Sequence, residues 1–217
     1  MSLLVIDRKI AETPRPRGRP ATFDRRAALD AAVPLFWRHG YEGASIAELT
    51  AAMGVAPPTL YAAFGSKAQL FREAMRHYHD TCGGLARVEA FVAEPQAFRA
   101  LAAYLRDIAQ AFADPAHPPG CMVSTTGLHA AVDSEAASRT AAAFRGELID
   151  LLQTKFEGAQ QTGQLSEAAD PAALARFYAA VMQGMSAQAC DGADAAALTG
   201  LAEVAIAAWP GERAEAA

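Results

Sequence analysis

Apolar residues recur along this chain at the three- and four-residue spacing of amphipathic helices, and strand-length runs with period-two alternation are absent. The pattern predicts a first helix over 24–39, with Leu29, Val33, Phe36 and Trp37 on its apolar stripe and Gly40 ending it. Pro34 falls inside and predicts a kink. A second helix starts at Ser45, where Ser-Ile-Ala-Glu has the capping-box form, and ends near Met53-Gly54. A third, short helix begins at Pro57-Pro58, with Pro58 suited to the first position, and ends near Phe64-Gly65. A fourth follows Ser66 and carries Leu70, Phe71, Met75 and Tyr78. Beyond it, longer helices are predicted over 95–113, 120–131, 134–162, 170–189 and 194–209, with 114–120 (DPAHPPG) as the clearest loop. The fold class is all-α. The expected division is a flexible arm over 1–22, a helix-turn-helix module over 23–80 with a linking helix over 66–81, and a larger helical region over 81–217.

Residues 45–64 have helix-turn-helix form. Ile46, Leu49 and Met53 face inward, Gly54 permits a left-handed turn, Val55 fills the corner, and Leu60 and Phe64 hold the second helix against the first. One face of the second helix, with Pro57, Thr59, Ala62 and Ala63 and with Tyr61 at its flank, is left to enter a DNA major groove. Thr59 and Tyr61 can donate to phosphates, and Lys67 adds a cation at a helix start. Spacing alone does not separate this reading from any two short helices joined at a glycine.

The stretch from Phe36 through GYEGASIAELTAAMGVAPPTLYAAFGSKAQLF resembles the N-terminal region of TetR-family transcriptional regulators. Phe36, Gly40, Tyr41, Ile46, Leu49, Gly54, Val55, Leu60, Tyr61, Phe64, Lys67, Leu70 and Phe71 carry the resemblance, over about a quarter of the chain. It implies a three-helix DNA-binding domain joined by a linking helix to a C-terminal ligand-binding and dimerisation domain. It also implies that Ser45 touches phosphate, that Thr59, Tyr61 and Lys67 hold the DNA backbone, and that Pro57 and Ala63 sit at base edges. Thr50 departs from the alanine usual in the family. Alanines at 47, 62 and 63 leave few long polar readers, so methyl contacts and DNA shape should carry more of the specificity. Pro16-Arg17-Gly18-Arg19-Pro20 resembles an AT-hook, in which Arg17 and Arg19 would lie along a narrow A·T minor groove; a solvated basic tail is the plainer alternative.

In the C-terminal half, Phe177, Val181 and Met185 on one helix and Leu201, Val204 and Trp209 on the next are candidates for a two-fold interface, although the same stripes could simply face their own core. The resemblance favours a homodimer. Phe98, Leu101, Tyr104, Leu105, Ile108, Met122, Phe144 and Leu148 are candidates for a pocket holding a small effector, hydrophobic or aromatic because few charges fall on these stripes.

Charge sharpens this division. Residues 1–80 carry 11 Lys/Arg against 8 Asp/Glu, whereas the remainder carries 8 against 16, so the net charge of −5 hides a basic N-terminal part suited to a polyanion. Cys82, Cys121 and Cys190 are few, far apart and without CxxC pairing, which fits a reducing, cytoplasmic setting. Cys121, at a predicted helix start, could alternatively respond to oxidation. His77 and His79 point about 200° apart on a helix, and no metal or cofactor is expected. No stretch reads as a membrane span or a secretory signal. No GxSxG, P-loop, HExxH or GxGxxG occurs, so an enzyme, working from isolated residues such as His129 or Asp133, is the remote option. The expected function is a dimeric, operator-binding repressor released by a small molecule, with an activator or a thiol-responsive regulator as alternatives.

Overall fold

The computed structural model describes residues 23–126 and 135–211. Among them lie α1 (Arg25–Gly43), α2 (Ile46–Met53), α3 (Pro57–Phe64), α4 (Lys67–Thr81), α5 (Gly84–Ala93), α6 (Ala97–Phe112), α7 (Met122–Thr125), α8 (Glu135–Gln161), α9 (Pro171–Cys190) and α10 (Ala195–Ala207). No strand occurs among the described residues, and one isolated bridge joins Leu165 to Gly211. The all-α class follows.

Local chemistry sets the helix ends. Asp24 caps α1, accepting from the Ala27 amide at 3.0 Å. Pro34 sits inside α1 with helical dihedral angles around it; the break falls at Gly40, whose φ of 67° turns the chain before a last turn to Gly43. Ser45 and Glu48 form the full reciprocal capping box on α2. Gly54 closes α2 with φ 66°, a left-handed conformation that suits glycine. Pro57 rather than Pro58 opens α3, after Ala56. Thr50, where alanine is usual, is buried, and its hydroxyl donates to the Ile46 carbonyl at 2.8 Å, so the change costs no unpaired donor.

The N-terminal core gathers Phe36, Leu49, Leu60, Phe64, Leu70, Phe71 and Met75, with Phe36 and Phe71 in edge-to-face contact at 5.0 Å. Met122, Ala137 and Ala141, from α7 and α8, pack into this same cluster. A second core joins α6, α8, α9 and α10 around Leu105, Phe156, Tyr178 and Met185. Asp170 and Asp194 cap α9 and α10. The buried Tyr178 hydroxyl donates to the Ala205 carbonyl at 3.2 Å.

Helix α5 was not expected. After α4, Gly83 (φ 80°) resets the direction, and the chain resumes as a helix burying Phe91. Between α6 and α7 the loop is pinned to α9: the Cys121 amide donates to Ser186 Oγ at 2.8 Å. Gly120 is needed there, because its φ is 75° and a Cβ would stand 2.7 Å from the Ser186 carbonyl.

Candidate nucleic-acid interface and ligand cavity

Helix α3 is held by its buried Leu60 and Phe64 and leaves Pro57, Pro58, Thr59, Tyr61 and Ala62 exposed; Tyr61 is 47% exposed. Ala63, expected at a base edge, is half-buried against the core, and its carbonyl accepts from Arg25 at 2.6 Å. The exposed alanine of this face is Ala62. Arg25 also forks onto Glu73 (2.6–3.0 Å) and lies 4.4 Å over the Phe64 ring. Read from sequence as one more cation of the basic region, it is a brace tying α1, α3 and α4 together.

Lys67 is half-buried at the first turn of α4, with Nζ 4.6 Å above the Tyr41 ring. Desolvation lowers its pKa, against the pull of Glu42 and Glu48. The Ser45 hydroxyl accepts from the Glu48 amide and donates to the Glu48 carboxylate at 2.7 Å. A phosphate contact from Ser45 would therefore compete with the cap and meet a carboxylate. That carboxyl is held below the usual range, first by the Ser45 hydroxyl and then by its backbone amide. Arg17 and Arg19 lie outside the described residues.

Six helices enclose a cavity of about 320 Å³. Tyr78 and His79 come from α4, Arg87 and Val88 from α5, and Tyr104, Ile108 and Phe112 from one i, i+4, i+8 ridge of α6. Val123 and Ser124 (α7), Phe144, Arg145 and Leu148 (α8) and Met182 and Gln183 (α9) complete most of the mainly apolar wall. Of the residues expected to line a pocket, Tyr104, Ile108, Phe144 and Leu148 do so. Leu101 and Leu105 instead sit on another ridge of α6, buried in the C-terminal core. Phe98 packs near Trp209 (6.4 Å), and Met122 is buried in the N-terminal core. The contributions of α4 and α5 were missed, since the tail of α4 read as a connector and α5 was not recognised. Burial pushes Tyr104 up to about 12 and raises Tyr78 further.

The outward face of α9 differs from the expected one. Ala173, Phe177, Ala180 and Ala187 are exposed at three- and four-residue spacing, with Gly184 partly so, and α10 exposes Ala197, Gly200, Val204 and Ala207. Phe177 is 44% and Val204 74% exposed. Val181 and Leu201 are half-buried against the core. Met185 is buried, because eight residues beyond Phe177 it is rotated by about 80° around the helix. Trp209, past the end of α10, is buried with its ring 5.3 Å from Phe156. Met185 and Trp209 are core residues, not interface residues.

The histidines and cysteines are spread among these features. His77 pairs with Asp30 at 2.5 Å, and His117 stacks on Trp37 at 4.6 Å. Cys82 and Cys121 line the cavity, and burial raises the Cys82 pKa, which works against a reactive thiolate. Among the described residues no cluster of His, Cys, Asp or Glu could hold a metal, and no helix is long and apolar enough to cross a membrane.

A braced helix-turn-helix with an exposed second helix, set on a larger helical body, is the architecture of a DNA-binding transcriptional regulator. Residues 28–74 match the model of bacterial regulatory proteins of the tetR family, and 97–203 match the tetracyclin repressor-like C-terminal domain. The chain is 36% identical over 194 residues to the HTH-type transcriptional repressor ComR of Escherichia coli (strain K12), spanning 89% of this chain and 92% of that protein. It is 36% identical over 116 residues to the repressor BdcR of the same organism, across 52% and 56% of the two chains. A cysteine mutant of the TetR family regulator CifR, solved with 26-bp double-strand operator DNA, superposes with a TM-score of 0.84 at 42% identity, covering 88% of this chain and all of that one. The chain belongs to the TetR family of transcriptional regulators.

Proposed function

We propose that this chain is a homodimeric repressor that binds an operator through α3 and leaves it when a small molecule enters the six-helix cavity. The observation that carries the DNA-binding part is the exposed face of α3, fixed from behind by Leu60, Phe64 and the Arg25 brace. The names of ComR and BdcR as repressors, and the operator bound to CifR, support the same reading. Thr59, Tyr61 and Lys67 hold the phosphate backbone, Pro57 and Ala62 meet base edges, and Arg17 and Arg19 of the N-terminal arm reach the neighbouring minor groove.

The small and apolar residues exposed along α9 and α10 support dimerisation, because they let helices of two copies approach closely and cover Phe177 and Val204. Two copies place two recognition helices on a two-fold operator. Cavity residues Tyr78 and His79 belong to α4, which packs on α1. An effector that prefers one placement of α4 thereby changes the spacing of the recognition helices.

The test is fluorescence anisotropy of the full chain against DNA upstream of its own gene, beside scrambled DNA, at two salt concentrations. Selective binding that survives the higher salt is expected. Binding equal for both DNAs, or none at low salt, overturns the reading. Phe177→Glu with Val204→Glu should convert a dimer into monomers in sedimentation, and an unchanged mass would refute the assigned interface.

A further inference from the structure

The geometry points to an effector that is a small amphipathic carboxylate, its apolar body among the cavity's hydrocarbon side chains and its carboxylate against Arg145. This rests on the cavity being the effector site. Arg145 stands half-buried in the wall, and its Nη1 donates to the carbonyls of Val123 (2.9 Å) and Thr126 (3.0 Å). Two main-chain carbonyls fix the plane of the guanidinium but bring no negative charge to balance it. Among the described residues Arg145 forms no ion pair, and its Nε and Nη2 meet no acceptor. The other arginine of the wall differs: Arg87 is ion-paired to Asp107 and also donates to the Cys82 carbonyl at 3.2 Å.

Two neutral donors lie in the same wall. Ser124, next in chain to the Val123 that Arg145 grips, and Gln183 on α9 make no hydrogen bond among the described residues. Three polar side chains from three helices thus share one mostly apolar cavity with donors unspent. An arginine held in one plane offers two parallel donors, the geometry that a carboxylate accepts in fork form. Burying an unbalanced guanidinium is unfavourable, and an anionic ligand relieves that penalty where a neutral one does not. Phe144, Leu148, Ile108 and Met182 furnish the apolar complement, and about 320 Å³ is at the small end of the roughly 300–1,000 Å³ range of ligand sites. Glu147, also in the wall, is exposed to solvent.

The test is calorimetric titration of the full chain with octanoate and with 4-tert-butylbenzoate, each beside its uncharged primary amide. The carboxylates are expected to bind about tenfold or more tightly than the amides, the discrimination typical of a hydrogen bond to a charged group. Arg145→Gln should abolish that difference, bringing the acids down to the affinity of their amides. Since Arg145 also grips two carbonyls, Ser124→Ala with Gln183→Leu is the second variant, and it should narrow the difference with the fold intact. Amides that bind as well as the acids, or no binding by either, overturn the proposal. Amides that bind and release DNA while the acids do neither would overturn it and leave the proposed function standing. Carboxylates that bind without releasing DNA would uphold the carboxylate site and overturn its role as the effector site.

Discussion

Trp37 is where the N-terminal module meets the rest of the chain. It is 6% exposed on α1, 4.6 Å from the Tyr78 ring of α4 and stacked at 4.6 Å on His117 of the α6–α7 loop. Its indole Nε1 is buried without a hydrogen-bond partner among the described residues. Trp37→Ala removes the whole ring system and should cost about 3–5 kcal/mol. Trp37→Phe keeps one ring between Tyr78 and His117 and loses roughly 1–2 kcal/mol of buried hydrocarbon, but it also removes an unsatisfied N–H whose desolvation costs about 1–3 kcal/mol. The two terms nearly cancel, so the Phe variant should lie within about 1 kcal/mol of the parent. Urea unfolding followed by circular dichroism, at one protein concentration and with equal m-values required, measures both variants. A Phe variant as unstable as the Ala variant would refute the reasoning, because it would mean that the N–H is satisfied in the folded protein.

Other outcomes follow from particular contacts. Glu48 has a lowered pKa, so its contribution is present at neutral pH. That contribution begins to be lost below the unfolded value of 4.5 and is gone below the depressed folded value. The melting temperature of Glu48→Gln should accordingly fall less steeply than the parent's on acidification, and parallel pH profiles would count against the cap. Tyr178→Phe should cost about 1 kcal/mol in the same urea assay, since it deletes the bond to the Ala205 carbonyl. Deleting residues 1–20 should weaken operator binding and flatten the log–log salt dependence by about 0.9 for each of Arg17 and Arg19 that meets a phosphate-lined groove. An unchanged slope would remove the arm from the interface.

The N-terminal helices were legible because their ends are written in local chemistry. Ser45, Gly54 and Ser66 act within three or four residues of themselves, and such signals survive without knowledge of the tertiary fold. Helix α5 was not legible for the converse reason. A glycine pair marks a change of direction, but whether a helix resumes depends on burial of Phe91 against α6, which is non-local. The cavity was half legible: periodicity finds the apolar positions of α6, yet only packing decides that Tyr104 and Ile108 face the void while Leu101 and Leu105 face the core. Arg25 shows the same limit for charge, since nothing in its sequence neighbourhood marks Glu73 or the Ala63 carbonyl as its partners.

The position of α4 bears on how a ligand this small could act. To move a two-state equilibrium from 1:99 to 99:1, a ligand must favour one state by about 5.5 kcal/mol. Drug-sized ligands gain about 0.3 kcal/mol per heavy atom and only the best small ones approach about 1.5, so a cavity of about 320 Å³ leaves little binding free energy that is indifferent to conformation. For the proposed release, most of it must depend on where α4 stands. Tyr78 meets that requirement, because one residue both lines the cavity and packs its ring on Trp37 of α1. A ligand that displaces Tyr78 strains an aromatic contact of the DNA-binding module itself, with no longer chain of intermediates needed.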